Sequence, residues 1–140
     1  MADSIREQVV QAFATRINAD RTLQLDGGAN LPARAVWDTT ESAERLQYGK
    51  LRMTLDLNVG FMAKVDRTDP AAPISKQGNA MLAELLEDAL NNDPTLGGLC
   101  SQINYSDSVI DYPEPGQDEI AVLAVFQIIY ETDSASPYSQ

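Results

Sequence analysis

The chain has 140 residues, of which 44% are hydrophobic and 22% charged, and its net charge is −11. This length fits one domain, since a chain of about 150 residues buries roughly two-thirds of its unfolded surface. Its single cysteine, Cys100, excludes a disulfide framework within the chain. Its lack of histidine excludes metal sites with histidine ligands and catalytic dyads or triads with a histidine base. No stretch has the roughly 18 apolar residues of a membrane span. Residues 1–8 also lack the apolar segment of a secretory signal, so we expect a reducing cytoplasm.

The charges are unevenly distributed along the chain. All ten Lys and Arg residues lie at or before Lys76, and the first 76 residues hold ten acids, so this part sums to zero. Residues 77–140 hold eleven acids and no base, and they carry the entire net charge. Such a surface repels phosphate, which disfavours nucleic-acid binding by this half. The charge serves either solubility alone or a specific electrostatic role.

The N-terminal part predicts a helix followed by a loop. Ser4 and Glu7 have the spacing of a capping box, and apolar residues then recur at helical spacing, which predicts a helix over 5–18. The polar segment Asp20–Pro32 is predicted to be a loop. Its Asp-Gly-Gly sequence lacks the spacing of a phosphate-binding loop.

Two strands are predicted next. A short strand over 33–39 includes Trp37, which we expect to serve packing in the core or an interface. Residues 51–61 alternate strictly between apolar and polar, which predicts a long strand with one buried face, and 62–65 extend it. The proline-containing segment 69–73 ends this strand.

The second half predicts a helix and two further strands. An apolar stripe predicts a helix from about residue 75 to residue 90, which ends at the Asn-Asn-Asp-Pro sequence of 91–94. A strand over 102–111 and a turn at 113–116 follow. The last strand runs from 119 to about 132.

Both alternating sets of side chains on the last strand are apolar. These sets are Ile120, Val122, Ala124, Phe126 and Ile128 on one side and Ala121, Leu123, Val125 and Ile129 on the other. A strand that is apolar on both sides is covered on both faces, by helices or by another subunit. The whole chain therefore predicts one α+β domain over 1–140, an antiparallel or mixed sheet of about four strands with two helices packed against it, and a polar C-terminal tail at 134–140. We expect the tail and the 20–32 loop to be mobile in the isolated subunit.

Few residues are candidates for chemistry. One acidic cluster could serve acid–base catalysis or bind a hard cation, although its spacing fits no EF-hand and a solvated hairpin tip is the simpler interpretation. This cluster consists of Asp107, Asp111, Glu114, Asp118 and Glu119. Cys100 has no base nearby and is expected to be a small buried residue rather than a nucleophile. We therefore expect no enzyme, no metal and no cofactor.

Three segments resemble those of a known family. The segment 92–99 (Asn-Asp-Pro-Thr-Leu-Gly-Gly-Leu), the final strand segment 125–132 with the Pro137-Tyr138 pair after it, and the helix start at Ser4–Glu7 are similar to the tail terminator (tail-completion) proteins of long-tailed bacteriophages. The resemblance covers residues 75–138 best.

The resemblance implies a structural virion protein at the tail–neck junction, assembled in the host cytoplasm. In that family an α+β subunit closes into a six-fold ring that caps the tail tube, ends its polymerisation and passes DNA during ejection. The implied partners are further copies of the chain (a homo-hexamer), the tail tube protein, the head–neck connector protein and, where the tail contracts, the sheath protein, with no membrane and no specific nucleic acid. A small acidic chain whose last strand is so apolar also suits a subunit that needs neighbours.

We expect seven residues at a subunit or partner interface. Lys50, Arg52 and Lys64 lie on or beside the alternating strand and could pair with the acidic half of a neighbour, although a solvated strand face also explains them. The full set is Phe126, Ile128, Lys50, Arg52, Tyr112, Glu114 and Tyr138. Two other functions stay open: another neck or tail-tube adaptor protein, and a small α+β enzyme or a ligand- or metal-binding module that uses the acidic cluster.

Overall fold

The fold is an α+β domain with two helices and a four-stranded antiparallel sheet. The computed structural model describes residues 3–21, 32–68, 71, 73–91 and 93–140. The elements in chain order are α1 (Ile5–Arg16), β1 (Ala33–Arg45), β2 (Lys50–Lys64), α2 (Ile74–Leu90), β3 (Gln102–Asp111) and β4 (Glu119–Asp133). The predicted fold class is confirmed.

The strands lie in the order β1-β2-β4-β3, so the two longest strands form the centre of the sheet. The β2–β4 ladder is unbroken from the Lys50–Asp133 pair to the Lys64–Glu119 pair. The register shifts once in each outer ladder, between Asp38 and Glu41 on β1 and between Tyr105 and Asp107 on β3.

The first helix begins as the capping residue predicts and ends earlier than predicted. The Glu7 N–H donates to Ser4 Oγ at 3.1 Å, whereas the Glu7 carboxylate pairs with Arg21 instead of completing the box. The helix ends at Arg16, because Asn18 adopts a positive φ of 52° that an α-helix does not allow.

Both helices pack on the same face of the sheet. The Phe13 ring of α1 lies 5.3 Å from the Phe126 ring of β4, and Gly78 of α2 lies against Ile110 and Ile120. The even-numbered residues of β4 from Ile120 to Thr132 are buried on this face. They form one core with the apolar sides of α1, α2 and β2.

Arg34 connects β1 to both helices on the core side. Its guanidinium lies 4.5 Å from the centre of the Phe61 ring, donates to the Ile17 carbonyl at 2.9 Å, and pairs with Asp88 at 2.7 Å and Glu84 at 3.3 Å. Only 10% of this side chain is exposed. An arginine with satisfied donors is therefore part of the packing between the layers.

The strand β1 is longer than the predicted 33–39. Its second part pairs with β2 as far as Arg45 and Leu51. This part is polar and largely exposed, so cross-strand hydrogen bonding rather than hydrophobic pattern makes it a strand. The bounds of β2, α2, β3 and β4 agree with the predicted ones to within about one residue.

Of the two segments expected to be mobile, the structure describes the C-terminal tail, whereas most of the 20–32 loop lies outside the described residues. The tail is bound to the domain, because Pro137 accepts from the Ile5 N–H at 2.9 Å, the Asp133 N–H donates to the Ser139 carbonyl at 2.9 Å, and the Gln140 amide donates to the Leu99 carbonyl at 2.7 Å. These bonds place the tail against the domain, and its mobility in the isolated subunit stays a prediction.

Candidate subunit interface

The face of the sheet opposite the helices carries the second apolar set of β4. Leu123 is 43% exposed, and Ala121, Val125 and Ile129 are half-buried. Both helices pack on the other face. A strand with two apolar sides predicts that both of its faces are covered, and in the single chain the helices cover only one of them. The covering of this second face by another subunit stays a prediction.

The exposed apolar side chains of this face surround a groove. The cross-strand register places Trp37, Asn58, Val125 and Asp107 in one row across the four strands. Val109, which is 58% exposed, lies in the neighbouring row opposite Leu123. The groove has a volume of about 520 Å³. We call the patch formed by Trp37, Val109, Leu123 and Val125 the open-face patch.

The rim of the open-face patch is negatively charged. Asp107 lines the groove on the edge strand β3, and Asp111 follows four residues later on the same strand. Neither carboxylate has a hydrogen bond or ion pair within the part of the chain that the structure describes. A partner for this patch should therefore combine an apolar group with a positive charge.

Lys50 and Arg52 lie on the open face at the hairpin end of β2 and have partners within the chain. Lys64, at the other end of β2, is exposed and has no ion pair among the described residues. Lys50 Nζ lies 2.5 Å from Asp133 Oδ1, and Arg52 Nη1 lies 3.7 Å from Glu44 Oε2. Both cations, which we expect to contact the acidic half of a neighbour, therefore already have acidic partners within their own chain. The two ion pairs are half-exposed surface pairs, which contribute little to stability.

Phe126 and Ile128 are core residues. Both side chains have no exposed area, and Phe126 contacts Phe13 and Tyr105 on the helix side of the sheet. A partner cannot reach them in the folded chain, so their predicted place on an interface surface is corrected. Sequence reasoning chose the wrong one of the two apolar sets on the strand.

The other three predicted interface residues are exposed but far apart. Tyr112 and Glu114 lie in the connection before β4, and Tyr138 lies in the tail after it. Fifteen residues of extended strand separate the two ends, which corresponds to about 50 Å. The structure therefore does not bring these residues into one site.

Three members of the predicted acidic cluster, Asp111, Asp118 and Glu119, line one pocket of about 340 Å³, whereas Asp107 lines the open-face groove. Asp118 pairs with Arg67 at 3.1 Å, and no three acidic, Cys or His groups within the described residues converge as a metal site would require. Cys100 is buried, as predicted; burial raises the pKa of its thiol, and the Sγ atom donates to the Pro94 carbonyl at 3.4 Å. No described helix is both long and apolar enough to cross a bilayer.

A partly buried polar network was missed by the sequence reasoning. The Tyr130 hydroxyl donates to Glu41 Oε2 at 2.5 Å, and Arg6 binds Asp38 at 2.5 Å and Glu41 at 3.6 Å. Burial and then the bond to Glu41 raise the pKa of Tyr130 far above its ordinary value, so the phenol stays protonated and donates. The network connects α1, β1 and β4, and no sequence motif marks it.

The exposed tip of the β1–β2 hairpin was also missed. Tyr48 is 94% exposed within the short turn Gln47–Gly49. The Tyr-Gly pair between two strand patterns was the available signal, because glycine favours the positive φ of 74° that Gly49 adopts. No protein-family model and no curated protein sequence matches this chain.

Proposed function

We propose that this chain is the structural subunit of a ring that caps a bacteriophage tail tube, ends its polymerisation and joins it to the head–neck connector. One observation supports the assembly part of the proposal: the apolar side chains of Val109 and Leu123 are exposed on a sheet face that neither helix covers. Exposed apolar patches of this kind mark association sites. The resemblance of residues 75–138 to tail terminator proteins supplies the tail-tube role.

The open face supports association with a further copy more than it supports a ligand site. The groove is partly open to solvent and is lined by strands alone, whereas small-molecule sites enclose most of their ligand. Its apolar residues come from β1, β3 and β4 and so extend across the whole sheet. The polar Asn58 of β2 lies between Trp37 and Val125, and a surface of mixed polarity that extends over four strands fits a protein partner.

The oligomeric state is the first test. Light scattering during size-exclusion chromatography, over a range of protein concentrations, should detect a closed particle of six 15.3 kDa chains. Negative-stain images of the same fraction should show rings. A chain that stays monomeric and shows a saturable response to calcium would instead support the ligand-binding module and overturn the proposal.

The capping activity is the second test. The tail tube protein of the same phage, polymerised with and without this chain, should form shorter tubes when the chain is present, with the ring at one end. A Leu123→Asp variant, which places a charge on the open face while the core set of β4 stays intact, should lose both the ring and the effect on tube length. Rings that bind the connector but leave tube length unchanged would assign the chain to the neck adaptors.

A further inference from the structure

We infer that the tip of the β1–β2 hairpin of one copy docks into the open-face groove of the next copy, with Tyr48 in the groove and Arg45 against Asp107. This inference rests on the proposed function in one respect, since it takes a second copy of the chain as the occupant of the groove. It adds which two surfaces meet and why the contact propagates around a ring.

The hairpin tip is an exposed aromatic group on a braced support. The Leu46 N–H donates to the Lys50 carbonyl at 2.8 Å, and the Ser134 N–H donates to the Gly49 carbonyl at 2.7 Å. These bonds attach both sides of the turn, and Tyr48 itself remains 94% exposed. A rigidly presented tyrosine loses little conformational entropy on binding and is enriched at the centres of interfaces.

The groove and the tip are complementary in size and charge. The groove volume of about 520 Å³ is ample for one aromatic side chain, and its walls combine the open-face patch with the polar residues Asn58, Asp107 and Ser108. Asp107 on its rim is exposed and has no cation partner within the described residues. Arg45, at the end of β1 beside the tip, is likewise exposed and unpaired there. The hairpin tip therefore provides an aromatic group and a positive charge, and the groove provides a partly apolar cavity and a negative charge.

The tip of a chain cannot reach its own groove. The tip adjoins Lys50, and the groove is centred on Asn58, eight residues further along the same strand, or about 26 Å. The contact must therefore join two copies through two different surfaces. Such heterologous contacts close into rings when the rotation between copies allows it.

Charge reversal tests the contact directly. Arg45→Glu alone and Asp107→Lys alone should each weaken assembly at least about tenfold, because each places like charges together. An equimolar mixture of the two variants should assemble like the wild type, since alternating copies restore opposite charges at every contact. Both positions are exposed, so circular dichroism and thermal unfolding should show an unchanged fold.

Matched variants control for net charge. Lys76→Glu and Glu87→Lys make the same charge changes at exposed positions of α2 and should assemble like the wild type. Tyr48→Ser should weaken assembly without changing the charge. If the wild type assembles and the variants at 45, 48 and 107 assemble equally well, the inference is wrong and the proposed function stands. A wild-type chain that never assembles overturns both.

Discussion

At the scale of single residues, Asp93 organises the turn that follows α2. Its Oδ1 accepts from the Thr95 N–H at 2.9 Å and from the Thr95 hydroxyl at 2.6 Å, and its Oδ2 accepts from the Gly97 N–H at 2.9 Å. Leu96, Gly97 and Gly98 all have positive φ, and Leu96 is nevertheless buried. The carboxylate therefore holds a backbone conformation that a leucine rarely adopts.

The Asp93 turn should contribute stability that depends on pH. The hydroxyl of Thr95, followed by the backbone N–H groups of Thr95 and Gly97, lowers the pKa of Asp93 to about 2. Because the pKa is lower in the folded chain than the roughly 3.9 of an unfolded aspartate, the contribution is complete above about pH 4 and is lost as the pH falls toward 2. Asp93→Asn should reduce the free energy of unfolding at neutral pH, and its difference from the wild type should shrink over this range.

Denaturant unfolding from neutral pH down to about pH 2 measures this difference. Glu87→Gln is the control, since the Glu87 side chain is exposed and has no partner within the described residues. A difference for Asp93→Asn that is constant with pH would show that the carboxylate charge has no part in the turn.

Gly78 permits the close approach of α2 to the sheet. A Cβ at this position would lie 2.9 Å from Ile110 Cγ2 and 3.1 Å from Ile110 Cδ1. Gly78→Ala gains about 1 kcal/mol of helix propensity but incurs roughly 1–3 kcal/mol of overpacking. We expect a net loss of up to about 2 kcal/mol in the free energy of unfolding, measured with urea. The neighbouring exposed Asn79→Ala should stabilise slightly, and a stabilised Gly78→Ala would show that the helix can shift away.

At the scale of elements, β4 is a central strand with two apolar faces that serve different purposes. The even-numbered face packs under the helices and forms the core. The odd-numbered face carries the open-face patch, with Leu123 43% exposed. The same fifteen residues therefore provide both the stability of the chain and its candidate interface.

Truncations on the two faces of β4 should affect different properties, folding stability on one face and self-association on the other. Phe126→Ala should lower the free energy of unfolding by roughly 3–5 kcal/mol, because it removes a fully buried ring from the core. Leu123→Ala should cost the single chain about 1 kcal/mol or less but should weaken self-association. Urea unfolding at low protein concentration and light scattering at high concentration separate the two effects. Equal losses of stability would contradict the assignment of the faces.

At the scale of the whole molecule, ion pairs within the chain connect the neutral half to the acidic half. Arg34, Lys50 and Arg67 bind acids of the second half. Seven of the eleven acids of that half have no ion pair in the described part of the chain. They are Glu87, Asp93, Asp107, Asp111, Glu114, Glu119 and Glu131. A strongly negative surface therefore persists after folding.

This charge should make assembly depend on salt. Six copies in a ring carry six times the net charge of −11, and their long-range repulsion is screened beyond about 8 Å at physiological ionic strength. The inferred contact of Arg45 with Asp107 would be partly buried between two copies and would therefore be screened much less. Ring formation should therefore improve with moderate salt, and the chain should not bind duplex DNA even at low salt. Light scattering across a salt series and a mobility-shift assay measure these outcomes, and DNA binding or a ring that dissociates in moderate salt would contradict them.

Much of the fold could be predicted because its main elements have long and regular apolar patterns. The strict alternation of β2, the double alternation of β4 and the stripe of α2 each locate an element to within about one residue. The second part of β1 could not be predicted, because its exposed residues 40–45 carry no alternation and depend on pairing with β2. The alternation of apolar and polar residues identifies a strand only where one face of that strand is buried.

For the candidate interface, the sequence by itself determined that both sides of β4 are apolar, that all net negative charge lies after Lys76 and that no histidine is present. Only the tertiary structure decided that both helices pack on the face of β4 that carries Phe126 and Ile128, which leaves Leu123 and Val125 on the open face. The physical reason is that a period of two defines two faces of a strand without assigning either to a layer. The assignment follows from contacts between residues far apart in the chain, such as that of Phe13 with Phe126, and these contacts also leave Tyr48 exposed at the hairpin tip.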